Sequence, residues 1–210
     1  MVLASELRSF LGHRSPRIIG AAFVAAVLAR LLLGGYGWAD LALAAGILVL
    51  EPFTEWFTHV LLLHAKPRML FGRRIDPIAA RLHRAHHADP KDAELVFVPI
   101  QVLVIALPVA AVLFPLLSAT PRIGVTGLVT AYAMLLLYEW THHLIHSAYK
   151  PKGRYYRSIW RAHRLHHYRN EHFWFGVTVN AADHLFRTFP ARDDVPLSPT
   201  ARTLGVDRTP

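Results

Sequence analysis

The run from Leu95 to Leu117 holds 23 residues without a charged side chain. A soluble domain has no use for so long an apolar run, whereas about 20 helical residues span a bilayer core of about 30 Å. Three further stretches follow the same logic. Ile18 to Trp38 is apolar apart from Arg30, Leu41 to Leu50 continues as a polar-flecked helix to His64, and Ile123 to Tyr138 adds 16 uncharged residues. The second and fourth stretches are short if only uncharged residues count. Both read as longer helices whose last two turns leave the membrane, and Leu41 to His64 would reach about 36 Å at 1.5 Å per residue. Gly34-Gly35-Tyr36-Gly37 and Thr120-Pro121-Arg122 break the chain within each pair, so the pattern predicts two helical hairpins. Pro99, Pro108 and Pro115 predict a bent third helix. Arg30 must either snorkel to an interface or face the protein interior.

The basic residues orient these hairpins. Three Lys/Arg precede the first helix, 7 lie between Ala65 and Glu94, and 11 follow Ser147, while the short loops on the other side contain only Arg122. By the positive-inside rule both termini and the middle loop are cytoplasmic. The chain then divides into a cytosolic N-terminal segment 1–17, a first transmembrane hairpin 18–64, a cytosolic segment 65–94, a second hairpin 95–146 and a cytosolic C-terminal part 147–210. The formal charge of +9 beside 53% hydrophobic residues fits membrane lipids with anionic headgroups as partners. No nucleic-acid motif accompanies the charge, so no nucleic-acid partner is read from it. No cleavable signal peptide is evident: the first apolar run starts behind Arg8, Arg14 and Arg17, and no small-residue cleavage site ends it. The absence of cysteine excludes disulfides, thiolate metal sites and cysteine nucleophiles.

Fourteen histidines are the compositional outlier, and ten of them recur in order. Glu55-Trp56, His59, His64 and the run Arg81-Leu82-His83-Arg84-Ala85-His86-His87 are echoed by Glu139-Trp140, His142, His146 and Arg161-Ala162-His163-Arg164-Leu165-His166-His167. Each half is a hairpin, a histidine pair at its cytoplasmic end, then a histidine trio. Both sets reach the same face of the membrane, so one shared site follows. His142 and His146, four apart, share a helical face, and each trio makes a compact triangle at i, i+3 and i+4. His59 and His64 are five apart, roughly 140° around a regular helix. That pair converges only if the helix frays, bulges or ends near His64.

Ten imidazoles exceed what one ion takes, since structural zinc closes at four ligands. Two metals with four or five nitrogens each, plus an open position, account for the number. Imidazole suits iron, zinc, copper and nickel alike. A membrane site of neutral nitrogen ligands suits oxygen activation on an apolar chain, for which iron can change oxidation state and zinc cannot. Metal-bound histidines commonly donate their other ring N–H to a carboxylate or carbonyl. Glu55 and Glu139, on the faces of His59 and His142, are read in that role, together with Asp89, Asp92 and Asp183. His184 is a candidate extra ligand; His13, His143 and His172 stand outside the pattern. No side chain is required as general acid or base.

These ordered motifs resemble the fatty acid hydroxylase and sterol desaturase superfamily of integral-membrane enzymes. The match covers roughly Glu55 to Pro190. Within the superfamily the fatty acid 2-hydroxylases are most similar, through Glu55-Trp56-Phe57-Thr58-His59 and His86-His87-Ala88-Asp89-Pro90-Lys91-Asp92 with the following Leu95-Val96-Phe97-Val98-Pro99. Phe175-Gly176-Val177-Thr178 and Asp183-His184-Leu185-Phe186-Arg187-Thr188 complete the likeness, and the 18 residues between His64 and His83 also fit this branch. Val60, His143 and Arg187 depart from it, the last standing where the family has glycine.

The resemblance implies an all-α body of four transmembrane helices carrying a cytosolic helical cap, parts 65–94 and 147–210, that holds a histidine-rich dimetal site. It implies hydroxylation of a lipid acyl chain by two iron ions, though the same donors accept zinc, using O2. With about 17 residues ahead of the first helix the fused haem domain of eukaryotic relatives has no room, so electrons are expected from a separate donor protein. Phe173, Trp174 and Phe175 are candidate linings of the substrate path, or equally surface anchors. Rival readings are a carotenoid or sterol hydroxylase or desaturase of the same superfamily, a membrane haem-binding electron carrier, and a non-catalytic zinc-binding protein.

Overall fold

The computed structural model describes residues 2–206. In chain order it runs α1 (Val2–Gly12), α2 (Arg14–Leu33), α3 (Trp38–Phe57) prolonged by a π turn (Thr58–Leu63), β1 (Arg68–Leu70), β2 (Arg73–Ile75), α4 (Ile78–Ala88), α5 (Ala93–Val96), α6 (Ile100–Leu117), α7 (Pro121–His146), α8 (Arg154–Tyr168) and α9 (Ala181–Leu185). Four spans are long and apolar enough to cross a membrane: Arg14–Leu33, Trp38–Leu63, Ala93–Leu117 and Pro121–His146. The short breaks between them carry the expected chemistry. Gly34 and Gly35 take φ of +56° and +60°, where a side chain would be strained, and end α2. Asp40 accepts the Gly37 N–H (2.9 Å) at the start of α3. Thr120 caps α7 ahead of Pro121.

α7 is the central helix, on which α2, α3 and α6 all pack. Its Gly124 lies so close to the Phe114 and Pro115 backbone that a Cβ would not fit. The buried interior of this bundle is small: Ile19, Ala26, Leu103, Leu107, Leu128 and Tyr132. The Tyr132 hydroxyl donates to the Leu107 carbonyl (2.7 Å), which satisfies its polar end among apolar neighbours. Large apolar side chains such as Leu28, Leu32, Ile105 and Leu117 face outward, as a lipid solvent demands and water forbids.

Three features go beyond the sequence reading. The N-terminal segment forms a helix, α1. A two-stranded antiparallel hairpin, β1–β2, interrupts the otherwise helical chain. Pro99 precedes α6 rather than lying inside it, leaving Pro108 and Pro115 within the helix.

Arg30 faces inward. Its guanidinium donates to Asp40 (2.7 Å), Thr126 (2.6 Å) and the Gly34 carbonyl (2.7 Å), and stacks over Tyr36. Asp40, which composition alone did not single out, is thus the buried counter-ion that lets an arginine occupy a membrane helix. Removing one partner of such a pair strands a charge, whereas replacing both by apolar groups is often tolerated. Asp40→Ala should therefore lower the thermal midpoint of the detergent-solubilised protein by more than the double substitution Arg30→Leu, Asp40→Leu. Equal losses would refute the ion pair as the reason both residues are present.

Candidate metal centre

The histidines converge where the C-terminal ends of α3 and α7 meet α4 and α8. The five-residue spacing of His59 and His64 is resolved by the π turn. Its wider winding lets the His64 N–H donate to the His59 carbonyl (3.1 Å), five residues back, and brings both rings to one side. Short π segments of this kind are frequent at functional sites. α4 and α8 are amphipathic, with His83, His86 and His87 and then His163, His166 and His167 on their buried faces.

Ten imidazoles form two groups of five. His59, His64, His83, His87 and His166 make one; His86, His142, His146, His163 and His167 make the other. Within each group the ligand nitrogens lie within 4.8 Å of one another. The trios do not act as the separate triangles that spacing suggested. Each group takes the pair and the first and third histidines of one half, then borrows the middle histidine of the other half's trio. The groups abut, with the His87 and His167 rings 4.1 Å apart.

The tautomers show what the groups are built to hold. His59, His87, His142 and His166 each face a backbone carbonyl with Nδ1: Phe175 (2.7 Å), Ala201 (2.8 Å), Val96 (2.8 Å) and Phe173 (2.8 Å). A carbonyl only accepts, so each Nδ1 carries the proton and each Nε2 presents a lone pair. His87 and His166 then point two lone pairs at each other across 3.2 Å. The pairs His59–His83, His142–His163 and His163–His167 approach at 3.1, 3.1 and 3.0 Å. Two nitrogens bound at right angles to one ion, each about 2.1 Å away, are roughly 3 Å apart. The buried Nε2 atoms of His64, His86 and His146 have no hydrogen-bond partner among the described residues. The donor set therefore fits two cations. Burial, the largest cause, holds His64, His83, His86, His163, His166 and His167 well below the ordinary imidazole range and His87 at about 3, so these side chains are neutral and ready to bind.

The carboxylates act one step further out than their helical positions suggested. No described carboxylate accepts from any of the ten rings. The Val177 and Thr178 amides and the Thr178 hydroxyl instead donate to Glu55, and Phe175 of that same segment receives His59. In the other half Glu139 accepts from Val98 N–H (2.9 Å) and Ser15 (2.5 Å), and Val96 receives His142. The repeat thus extends into the backbone: a carbonyl for histidine and, two residues on, an amide for glutamate. In each half the crossing backbone segment binds both the carboxylate and the ring, so the two are linked through it rather than directly.

Asp183 supports the first of these segments, accepting from Phe175 N–H (3.0 Å), Gly176 N–H (2.7 Å) and the Thr188 hydroxyl (2.6 Å). A Cβ on Gly176 would meet the Val179 carbonyl at 2.6 Å, so only glycine passes there. Arg187 holds φ +58°, a left-handed conformation that a glycine adopts without strain. Among the described residues, Asp89 and Asp92 accept only from the nearby backbone amides of Lys91 and Glu94. His184 is exposed, stacks on Phe189 and joins neither group. His143 lies against Phe97 and Glu6, and His172 is exposed beside Glu171.

A cavity of about 530 Å³ opens between α3, α6 and α7 and reaches His59, His83 and His142. Its walls are mainly apolar, including Leu50, Val102, Leu103, Ala106, Ala131 and Leu135. Phe173, Trp174 and Phe175 do not line it. Trp174 and Phe173 pack in the cap, and the Trp174 indole donates to the Pro190 carbonyl (3.2 Å). Phe175 meets His59 and His64 edge to face and His166 at a tilt. These aromatics position the histidines from behind. Glu51, which faces the cavity and also meets the Thr178 hydroxyl (3.2 Å), escaped the sequence reading. An acid four residues before Glu55 in an apolar span was the available signal.

A family model described as fatty acid hydroxylase matches residues 44–188. The dihydroceramide fatty acyl 2-hydroxylase FAH2 of Arabidopsis thaliana is 28% identical over 140 residues, 65% of this chain and 55% of that protein. The fatty acid 2-hydroxylase of Homo sapiens is 29% identical over 137 residues, 64% of this chain and 36% of that protein. The chain thus spans about half the length of its plant relatives and little more than a third of the mammalian ones. Among solved structures, the hydroxylase domain of full-length Scs7p has the same fold, with TM-score 0.67 and 24% identity over 88% of this chain and 68% of that one.

Two outcomes follow from the geometry. Glu55→Ala releases the segment that fixes the His59 ring and should weaken metal affinity roughly 10–100-fold; unchanged affinity by competition with a chelator would show that the segment holds itself. The second concerns acid. In the metal-free fold the buried cap histidines stay neutral below pH 6.5, while those of the unfolded chain take protons there. The unfolded state then binds more protons, so the thermal midpoint of chelator-treated protein should fall as pH drops below about 6.5; bound metal should raise the midpoint at each pH without removing that slope, because metal-bound rings also carry no extra proton. A midpoint flat between about pH 7.5 and 5 would contradict it.

Proposed function

The chain belongs to the fatty acid hydroxylase family, and we propose that it is a membrane di-iron monooxygenase that hydroxylates a C–H bond of a lipid acyl chain, in the manner of a fatty acid 2-hydroxylase. The observation that carries this reading is the meeting of two five-imidazole groups with the end of an apolar cavity in the membrane-spanning bundle. The ligands are the ten histidines of the two groups. Iron, rather than zinc, supplies the redox chemistry needed to use O2. The balance is one C–H converted to C–OH, with the second oxygen atom leaving as water after uptake of two electrons and two protons.

The residues of the chain bind, orient and exclude. The cavity walls hold an acyl chain out of water and bring one end of it to the histidines; 530 Å³ is within the usual range for a lipid-sized ligand. Neutral imidazoles, tied by Nδ1–H to carbonyls, keep their Nε2 lone pairs in place. Glu55, Glu139 and Asp183 keep those carbonyls where they are.

Both termini and the metal centre face the cytoplasm in this reading, supported by the basic residues gathered on the histidine side. Electrons come from a separate redox protein. The outward stripe of Arg154, Arg157 and Arg161 on α8, whose opposite face carries the histidines, suits an acidic donor.

Lipid mass spectrometry of cells with and without the chain tests the proposal. Acyl groups heavier by one oxygen should appear. His86→Ala and His166→Ala, each removing the borrowed ligand of a group, should abolish them by more than the roughly 10–100-fold loss of an outer-layer substitution. Oxygenated carotenoids or sterols in place of hydroxyacyl lipids would overturn the substrate.

A further inference from the structure

Between the π turn and α4 stands a hairpin with no extensive packing partner among the described residues. All residues of Arg68–Leu70 and Arg73–Ile75 are exposed, and Phe71 at the tip is 95% exposed. A lone two-stranded hairpin is marginal in water, yet this one displays Met69, Leu70, Phe71 and Ile75. Its register pairs Arg68 with Ile75, Met69 with Arg74 and Leu70 with Arg73. Every cross-strand pair therefore sets an apolar side chain beside a guanidinium. Phe71 holds φ +49° ahead of Gly72 at +74°. Tight hairpin turns of this kind ordinarily use Asn, Asp or Gly first, so the aromatic residue is not there for the turn.

Charge and position narrow the occupant. Lys66, Arg68, Arg73 and Arg74 are all exposed, and the acid nearest in sequence, Asp76, is held by Arg84 (2.5 and 2.6 Å). Arg68 follows Leu63, the end of a membrane-crossing span, by five residues, a reach of at most about 18 Å. The stripe on α8 has the charge without the apolar tip; this hairpin has both, within that short reach of a span's end. Apolar tips in the headgroup boundary with arginines snorkelling to phosphate are how interfacial segments bind.

We propose that β1–β2 is a membrane-surface finger: Met69, Leu70 and Phe71 enter the headgroup–acyl boundary, and Arg68, Arg73 and Arg74 grip the phosphates of anionic lipids. The residues flanking it in sequence, Leu62, Leu63, Ala79 and Leu82, line the cavity. The finger thus meets lipid beside the chamber assigned to the acyl chain.

The absence of cysteine makes a clean test. Phe71→Cys, labelled with an environment-sensitive fluorophore, is reconstituted as the full chain in nanodiscs of phosphatidylcholine with or without phosphatidylglycerol. Ser158→Cys on the exposed side of α8 serves as the control. Emission at position 71 should shift to the blue, lose intensity to nitroxide lipids and deepen with phosphatidylglycerol, while position 158 stays aqueous. Each arginine near an anionic surface strengthens partition roughly fivefold, so Arg68, Arg73 and Arg74→Gln should erase the dependence on phosphatidylglycerol. Water-like emission at 71 in both discs, or a blue shift already present in detergent and indifferent to nitroxide lipids, overturns the proposal. A shift that appears only when a soluble acidic protein is added overturns it as well. The readout is the position of the label, independent of any reaction.

Discussion

Lone pairs of like kind repel, and this protein buries a cluster of them. His87 and His166 aim unprotonated nitrogens at each other across 3.2 Å because both ring protons are committed to carbonyls elsewhere. Only a cation makes such an arrangement favourable. The surrounding architecture serves that demand. Carbonyls fix the rings, carboxylates fix the amides next to the carbonyls, and glycine at 176 lets the chain pass where no side chain fits. A charge introduced at one layer is answered at the next.

The opposite end of the bundle obeys a different rule. There Arg30, Asp40 and Thr126 close on each other and need no exogenous ion. Between the two polar ends the helices turn their large apolar residues outward, so the interior of the bundle is sparse and the cavity has room beside α7. The same inversion leaves the chamber apolar while the histidines at its end remain polar, which is the partition that the proposed acyl-chain hydroxylation requires.

The spans, the family and the convergence of the ten histidines were legible in the sequence, because hydropathy and an ordered motif carry them in residue identities, whereas α2 and α3 each pack on α7 more than on each other. What escaped was what the backbone does. The π turn needs no particular side chain, and only the awkward spacing of His59 and His64 betrayed it. The partners of His59 and His142 are carbonyls of Phe175 and Val96, which any residue supplies, so reasoning from side chains chose the nearby glutamates. The exchange of His86 and His166 between groups depends on how α4 and α8 face each other, and spacing within a single helix is blind to that. Phe173–Phe175 looked like a substrate wall because aromatics suit both lipid and packing; burial distinguishes the two.

That exchange has a consequence in time. Each group needs residues from both halves of the chain: the first waits for His166, and the second is built mostly from residues after His142. During synthesis the N-terminal hairpin and α4 emerge carrying five imidazoles that no arrangement of their own can complete as these groups. Neither group of five is complete until the ribosome has passed His166 and His167. In the proposed dimetal reading, loading is thereby a late event coupled to the docking of the second half, and a chain truncated before α8 lacks the three imidazoles of His163, His166 and His167.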